Sequence, residues 1–276
     1  MTSFLPAHFA PPPFTPIHLG QFSVSIAQSV EEVMEAQRLR FDVFANDMGA
    51  KMTGEAAAES RDADDFDAVC DHLLVRFHET QDAHPRIVGT YRLLRATEMP
   101  RIGRFYSASE YDVRCFEAYA GNVLELGRSC THPEFRHKVA MQLLWRGIGE
   151  YVMHYQIDVM FGCASFTGVD PDAHAAALSY LHHFHRAPEA LCPRTHAPYY
   201  VPMDRMPKDA IDVKRTFAGL PVLVKGYLRL GGLVGDGAFL DHAFNTTDIL
   251  TIVRTDAIDE RYVSKYAPDS VVGGEV

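Results

Sequence analysis

Phe22, Val24 and Ile26 alternate with polar residues and predict a strand over about 20–27. The period then becomes helical. Val30, Met34, Phe41, Phe44 and Met48 recur on one face, behind Ser29 as N-cap and with Glu31 and Glu32 in the first turn, where the helix dipole favours acids. A Gly-, Ala- and Asp-rich loop over 49–71 carries Asp62, Asp64, Asp65, Asp67 and Asp71, and strands are expected near 72–77 and 86–95. Residues 97–121 read as irregular. The run Asn122-Val-Leu-Glu-Leu-Gly-Arg-Ser-Cys130 reads as a buried strand, followed by a helix over 134–155 opened by Pro133 and Glu134. In that helix Ala140, Leu143, Leu144, Gly147, Ile148, Tyr151, Val152 and Tyr155 fit the i, i+3, i+4, i+7 pattern. A further buried strand is expected over 158–166, then a helix starting at Asp170-Pro171 with proline in its first position. Residues 187–219 are proline-containing and irregular, an insertion or lid. A helix over 221–230 ends at Gly231-Gly232, and strands near 237–243 and 248–254 close the chain.

The order β-α-β-β-β-α-β-α-α-β-β describes one α/β domain over 21–265, a central mixed sheet flanked by helices. Before it, Pro6, Pro11, Pro12, Pro13 and Pro16 alternate with Phe4, Phe9 and Phe14, which predicts an extended, mobile arm over 1–20. A tail over 266–276 follows it.

Composition adds exclusions. The net charge of −10 argues against general nucleic-acid binding, which needs a basic footprint. No run approaches the roughly 18 apolar residues of a membrane span, and no export signal opens the chain. Five scattered cysteines with no C-x-x-C pair fit reduced thiols in a cytoplasmic protein; peripheral contact with the inner face of the cytoplasmic membrane stays open.

The candidate chemistry centres on Glu125 and Arg128, two charges in a strand that otherwise favours dry surroundings, which is costly unless they are paired or used. Beside a helix N-terminus this is the layout of an acyl-transfer site. His174, His182, His183 and His185 cluster on one predicted helix, but zinc sites draw ligands from several segments, so no metal is expected. Cys130 has no histidine at a telling position, and direct attack without a covalent intermediate is favoured.

This layout resembles the GNAT-type N-acyltransferase fold. The motifs Arg40-x-x-x-Phe44, Asp64-x-Phe66-Asp67, Arg92-Leu-Leu and Glu125-x-x-Arg128 are similar to those of the acyl-homoserine-lactone synthases. A closer resemblance is to the bacterial L-ornithine Nα-acyltransferase family. It is carried by Cys70-Asp-His-Leu-Leu-Val75, Val88-Gly-Thr-Tyr-Arg-Leu-Leu94, Leu124-Glu-Leu-Gly-Arg-Ser-Cys130, Leu144-Trp-Arg-Gly-Ile148, Phe161-Gly-Cys-Ala-Ser-Phe166, Lys225-Gly-Tyr-Leu-Arg229 and Asp241-His-x-Phe-Asn-Thr-Thr-Asp248. These motifs span about 30–265.

The resemblance implies transfer of a 3-hydroxy fatty acyl group from acyl carrier protein to the ornithine α-amine, giving a single-chain lipid. The donor is the carrier's phosphopantetheine thioester, no further cofactor is needed, and a downstream O-acyltransferase at the membrane is expected. The usual glycine loop for a CoA pyrophosphate is replaced by Arg136-His-Lys-Val-Ala-Met141, which leans towards the carrier as donor, with Arg136, His137 and Lys138 meeting its acidic groups or forming a solvated helix face.

Glu125 is then the general base, or a structural partner of Arg128, Arg92 or Arg40. Backbone N–H groups after Gly127 would serve the oxyanion. Tyr227, in Tyr227-x-x-x-Gly231, is either the acid for the leaving thiolate or a core tyrosine. Asp64, Asp67 and Asp71 bind the side-chain ammonium of ornithine or close a cluster around Arg40 and Arg92, the latter favoured. Asp241 and Asp248 are alternative ammonium partners, and Arg92 or Arg128 would clamp the carboxylate. The rival readings are an N-acyltransferase for another amino acid, an autoinducer-type synthase, and a non-catalytic carrier- or lipid-binding sensor.

Overall fold

The computed structural model describes residues 12–80, 84–136 and 138–258. The expected tail, and residues 1–11 of the expected arm, lie outside the described residues. The chain first forms β1 (Ile17–Leu19), β2 (Phe22–Ile26), α1 (Val30–Phe41), α2 (Glu55–Ala58), β3 (Asp71–Phe77) and β4 (Arg86–Arg95). It continues through β5 (Tyr111–Asp112), α3 (Arg114–Glu117), β6 (Val123–Thr131), α4 (Lys138–His154) and β7 (Val159–Thr167). The remainder is α5 (Ala175–His185), β8 (Arg194–Thr195), α6 (Val213–Gly219), α7 (Val222–Arg229), β9 (Leu233–Val234), β10 (Phe239–Asp241) and β11 (Thr246–Arg254). The described residues form two compact units, one drawn from 12–103 and 126–156, the other from 104–125 and 157–258. Strand β6 contributes its first three residues to the second unit and the rest to the first.

In the first unit β1, β2, β3 and β4 pair antiparallel in sequence, with β6 beside β4. Helix α1 starts where Ser29 Oγ accepts the Glu32 N–H at 3.2 Å, while the Glu32 carboxylate accepts the Gln28 N–H at 2.7 Å, a reciprocal cap that satisfies two otherwise unpaired donors. It runs into a π-helical turn over Asp42–Asp47. Helix α4 lies on the face of the sheet that carries Leu73 and Val75. The helix touches the sheet at Gly147, where an added Cβ would stand 2.8 Å from Leu73 and 2.9 Å from Val24. His72 and Arg92 are direct partners across β3 and β4; strand alternation turns them to the opposite face, beneath α1.

In the second unit the first residues of β6 pair in parallel with β7, from Val123–Val159 to Glu125–Phe161. Strand β7 pairs antiparallel with β11 over its whole length, and β10 and β9 join β11. One face of this sheet, with Ala164, Phe166 and Ile249, packs on Leu178, Leu181, Val224 and Leu228 of α5 and α7. The other carries Phe161, stacked on Phe116 at 4.0 Å and edge-on to Phe105 at 5.0 Å. By register, Glu125, Phe161, Cys163 and Asp248 share that second face.

Two expectations need correction. Ile17–Leu19, within the expected mobile arm, is a strand paired with β2. The helix expected at Pro171 begins at Ala175, because Asp170 Oδ1 accepts the Asp172 N–H at 3.0 Å and closes a turn first. Among the described residues no helix is long and apolar enough to cross a membrane.

The close approach at Gly147 gives a test. Gly147→Val overpacks the contact with Val24 and Leu73, and urea unfolding should show a loss of about 1–3 kcal/mol. A stability equal to wild type would mean the helix has room to spare there.

Candidate active site

Glu125 is 3% exposed, and both of its carboxylate oxygens accept backbone N–H groups, from Tyr106 and from Ser107, each at 2.7 Å. These bonds hold the segment over 105–111 on the sheet face that Glu125 shares with Phe161 and Cys163. From there polar contacts run in a row. Cys163 Sγ lies 3.6 Å from Ser107 Oγ and donates to Glu110 Oε2 at 3.3 Å. Tyr111 donates its hydroxyl to the Asp248 carbonyl at 2.9 Å. Burial, with Glu110 and Asp248 close by, raises the Cys163 thiol well above its usual pKa and keeps it protonated. Burial likewise raises the Tyr111 hydroxyl, with Cys163 and Glu110 adding to the effect.

At the far end of the row the carboxylates of Glu110, Asp241 and Asp248 lie within 4.8 Å of one another. Glu110 and Asp241 also line a cleft of about 620 Å³, with Tyr199, Tyr200, Phe239 and His242 among its other walls. Three carboxylates this close repel one another unless a cation or protons intervene. The group suits an alkylammonium ion or a hard metal ion, both of which take oxygen ligands. Asp241 and Asp248 were expected as ammonium partners. Glu110 was not, because it sits in the stretch over 97–121 that has no hydrophobic period.

The first unit contains a separate ionic cluster under α1. Arg40, 1% exposed, donates from Nε to Asp62 at 2.8 Å and from Nη2 to both Asp67 oxygens at 2.8 and 2.9 Å. Arg92 Nη1 meets Asp64 at 2.6 Å and Asp67 at 3.2 Å. Arg128 meets Asp62 at 3.2 Å and Asp64 at 3.6 Å. Asp64 and Asp67 also close a capping box around the turn at Asp65–Ala68, which fixes the orientation of both carboxylates. Burial alone would raise the Asp67 pKa, but Arg40 and Arg92 outweigh it and hold the carboxyl well below the usual range. Burial lowers His72, whose Nε2 lies 3.1 Å from the Asp67 carbonyl. Arg128 sits at φ +53°, a left-handed conformation that breaks the strand geometry just after Gly127. Asp64, Asp67, Arg40 and Arg92 therefore come together and Asp62 completes the set, whereas Asp71 lies apart, accepting from the Tyr151 hydroxyl at 2.5 Å and meeting Arg95 at 3.6 Å.

The other predicted residues lie elsewhere. Phe44 is buried in the π-helical turn. Tyr227 is buried in α7, and its carbonyl accepts the Gly232 N–H at 2.9 Å. Gly231 has φ +81°, so the glycines after Tyr227 stop the helix. Arg136 pairs with Asp47 at 2.5 Å. His137 lies outside the described residues, as does the side chain of Lys138. Burial raises the Cys130 thiol to about 12, which leaves it a poor nucleophile. Of the four clustered histidines, His182 and His183 come within 4.8 Å of Asp204. His183 Nε2 is 3.0 Å from the Met206 carbonyl, His174 Nε2 is 3.1 Å from that of Thr167, and His185 lies 2.9 Å from the Tyr180 hydroxyl.

Residues 39–146 match the family model of an acetyltransferase (GNAT) domain, and the mixed sheet with flanking helices is a GNAT-type fold. A protein of Brucella abortus (strain 2308) named L-ornithine N(alpha)-acyltransferase is 47% identical over 257 residues, 91% of this chain and 91% of its own. One of Rhizobium meliloti (strain 1021) with the same name is 44% identical, over 91% of this chain and 86% of its own. The chain belongs to the L-ornithine N(alpha)-acyltransferase family. The solved structure of the AHL synthase LasI aligns over 87% of this chain and 95% of its own, at TM-score 0.46 and 13% identity.

The ionic cluster sets the response to acid. Asp67 has a lowered folded pKa, so its contribution is complete above the unfolded value of about 3.9 and is lost as pH falls below it. His72, also lowered, contributes fully above about 6.5 and loses that contribution as pH falls. Thermal unfolding should therefore show stability declining on acidification in two stages. Asp67→Asn should cost about 3–5 kcal/mol at neutral pH, since it strands Arg40 and Arg92, and should flatten the lower stage. An unchanged acid limb in that variant would remove Asp67 from the account.

Proposed function

We propose that this acyltransferase moves a 3-hydroxy fatty acyl group from the phosphopantetheine thioester of acyl carrier protein to the α-amine of L-ornithine. The observation that carries the reading is the 47% identity, over 91% of the chain, to a relative named for ornithine Nα-acylation. The acidic cleft supports it: a substrate with a second ammonium group needs anionic partners for it, and Glu110, Asp241 and Asp248 supply them.

The chemistry needs a neutral amine. Glu125 takes a proton from the ornithine α-ammonium, directly or through one water, and the freed nitrogen attacks the thioester carbonyl. The C–N bond forms and the C=O pair moves to oxygen, where backbone N–H groups near Gly127 stabilise it. When the intermediate collapses the C–S bond breaks, the nitrogen's second proton passes, directly or through one water, to the leaving sulfur, and the proton held by Glu125 is released to solvent. The carrier leaves as its free thiol; Tyr227, expected as the donor, is given no part, because it is buried in α7, whose Val224 and Leu228 pack on the sheet face opposite to Glu125. The products are an amide with one acyl chain and the free carrier thiol, and no further cofactor enters. Arg40, Arg92 and Arg128 are matched by Asp62, Asp64 and Asp67 within the first unit, and the reading asks of them that they hold that unit together. Contact with the acidic carrier is assigned to Arg136, His137 and Lys138. The single-chain product passes to an O-acyltransferase at the cytoplasmic membrane, so the enzyme works in the cytoplasm and at that membrane's inner face.

Glu125→Gln should lower kcat by about 10²- to 10⁴-fold with carrier affinity unchanged, measured by mass detection of the amide. Turnover equal to wild type in a folded Glu125→Gln protein would remove the general base. Asp248→Asn should raise the KM for ornithine by roughly tenfold or more while leaving kcat within a few-fold. The same variant should narrow the preference for ornithine over its analogue lacking the side-chain amine. An unchanged preference would mean that the cleft does not read the second ammonium.

A further inference from the structure

The stretch over 205–229 runs against the charge of the whole chain. It holds six cationic residues (Arg205, Lys208, Lys214, Arg215, Lys225 and Arg229) against Asp209 and Asp212 within a protein of −10, and of the six Arg205 is taken up by an ion pair with Asp172. One of the two acids has a local task, since Asp212 caps α6 by accepting the Arg215 N–H at 3.0 Å.

The same stretch and the neighbouring end of α5 expose apolar side chains. Val213 at the start of α6 is 42% exposed, Val222 at the start of α7 is 65% exposed, and Phe184 near the end of α5 is 40% exposed. Cations and rings interleave there. Lys208 Nζ lies 4.8 Å from the Phe184 ring, and the Arg229 guanidinium lies 5.7 Å from that of Phe217. Tyr180 bridges the two aromatics, with ring centroids 5.3 Å from Phe184 and 6.5 Å from Phe217. Lys225 Nζ donates to the Ala218 carbonyl at 3.0 Å, which ties the α6–α7 corner together.

We propose that this face, built by the end of α5 with α6 and α7, docks the protein on an anionic lipid bilayer. Aliphatic tips beside basic residues suit an interface, where apolar groups enter the acyl boundary and ammonium groups stay at the headgroups. Juxtaposed basic residues are drawn to anionic lipid, and the attraction weakens with salt. The inference is independent of which amine is acylated.

The test is flotation of the full-length protein with vesicles of phosphatidylcholine alone or mixed with phosphatidylglycerol. Binding should require phosphatidylglycerol and fall as salt rises. Lys214→Glu with Arg215→Glu should cut the partition coefficient by roughly tenfold or more. Val222→Ser with Val213→Ser should reduce it at unchanged charge, with thermal unfolding and vesicle-free turnover matching wild type in both. Variants that float as well as wild type, or equal binding to neutral vesicles, would overturn the proposal. So would charge-reversed protein that keeps vesicle binding but loses affinity for acyl carrier protein, which would make the face a protein dock.

Discussion

A buried carboxylate that accepts two backbone N–H groups orders the second unit. Glu125 could not stay in the dry end of β6 without partners, because desolvating an ion costs several kcal/mol. The N–H groups of Tyr106 and Ser107 meet that cost, and in doing so fix a loop that has no hydrophobic period of its own. Once 106 and 107 are held, Glu110 reaches Cys163 and Tyr111 reaches the Asp248 carbonyl. The acidic cleft is thus a consequence of the Glu125 contacts as well as of the residues that line it.

The first unit solves a comparable problem with charges of both signs. Three arginines under α1 are matched by Asp62, Asp64 and Asp67, and the capping box fixes the orientation of two of those carboxylates. Such a cluster stabilises weakly relative to an apolar core, but losing one member is costly. Its geometry therefore fixes α1, the loop over 62–67 and the sheet as one arrangement. Arg128 joins it at φ +53°, a conformation costing roughly 1–2 kcal/mol for a side-chain-bearing residue, which its contacts with Asp62 and Asp64 offset.

The long periodic elements were legible in the sequence because burial imposes its period on them. α4, β4, β7 and β11 lie close to where the hydrophobic pattern put them. The start of α5 was misplaced because proline at a first helical position and proline in a turn look alike until Asp170 is seen closing the turn. β1 was missed because a three-residue strand beside prolines carries too little alternation. The acidic loop announced itself by composition, but which aspartate meets which arginine depends on contacts more than twenty residues apart in sequence. Glu110 left no local signal at all, since its role comes from the loop that Glu125 anchors.

The central claim is that this acyltransferase acylates ornithine at its α-amine. It is tested most directly by incubating the purified full-length protein with 3-hydroxyacyl carrier protein and, separately, ornithine, lysine, glutamine or glycine, and reading the lipids by mass and fragmentation. The account predicts one new product, from ornithine, with a single amide-linked chain on the α-nitrogen. A preference for lysine, glutamine or glycine, or acylation at the side-chain nitrogen, would contradict it.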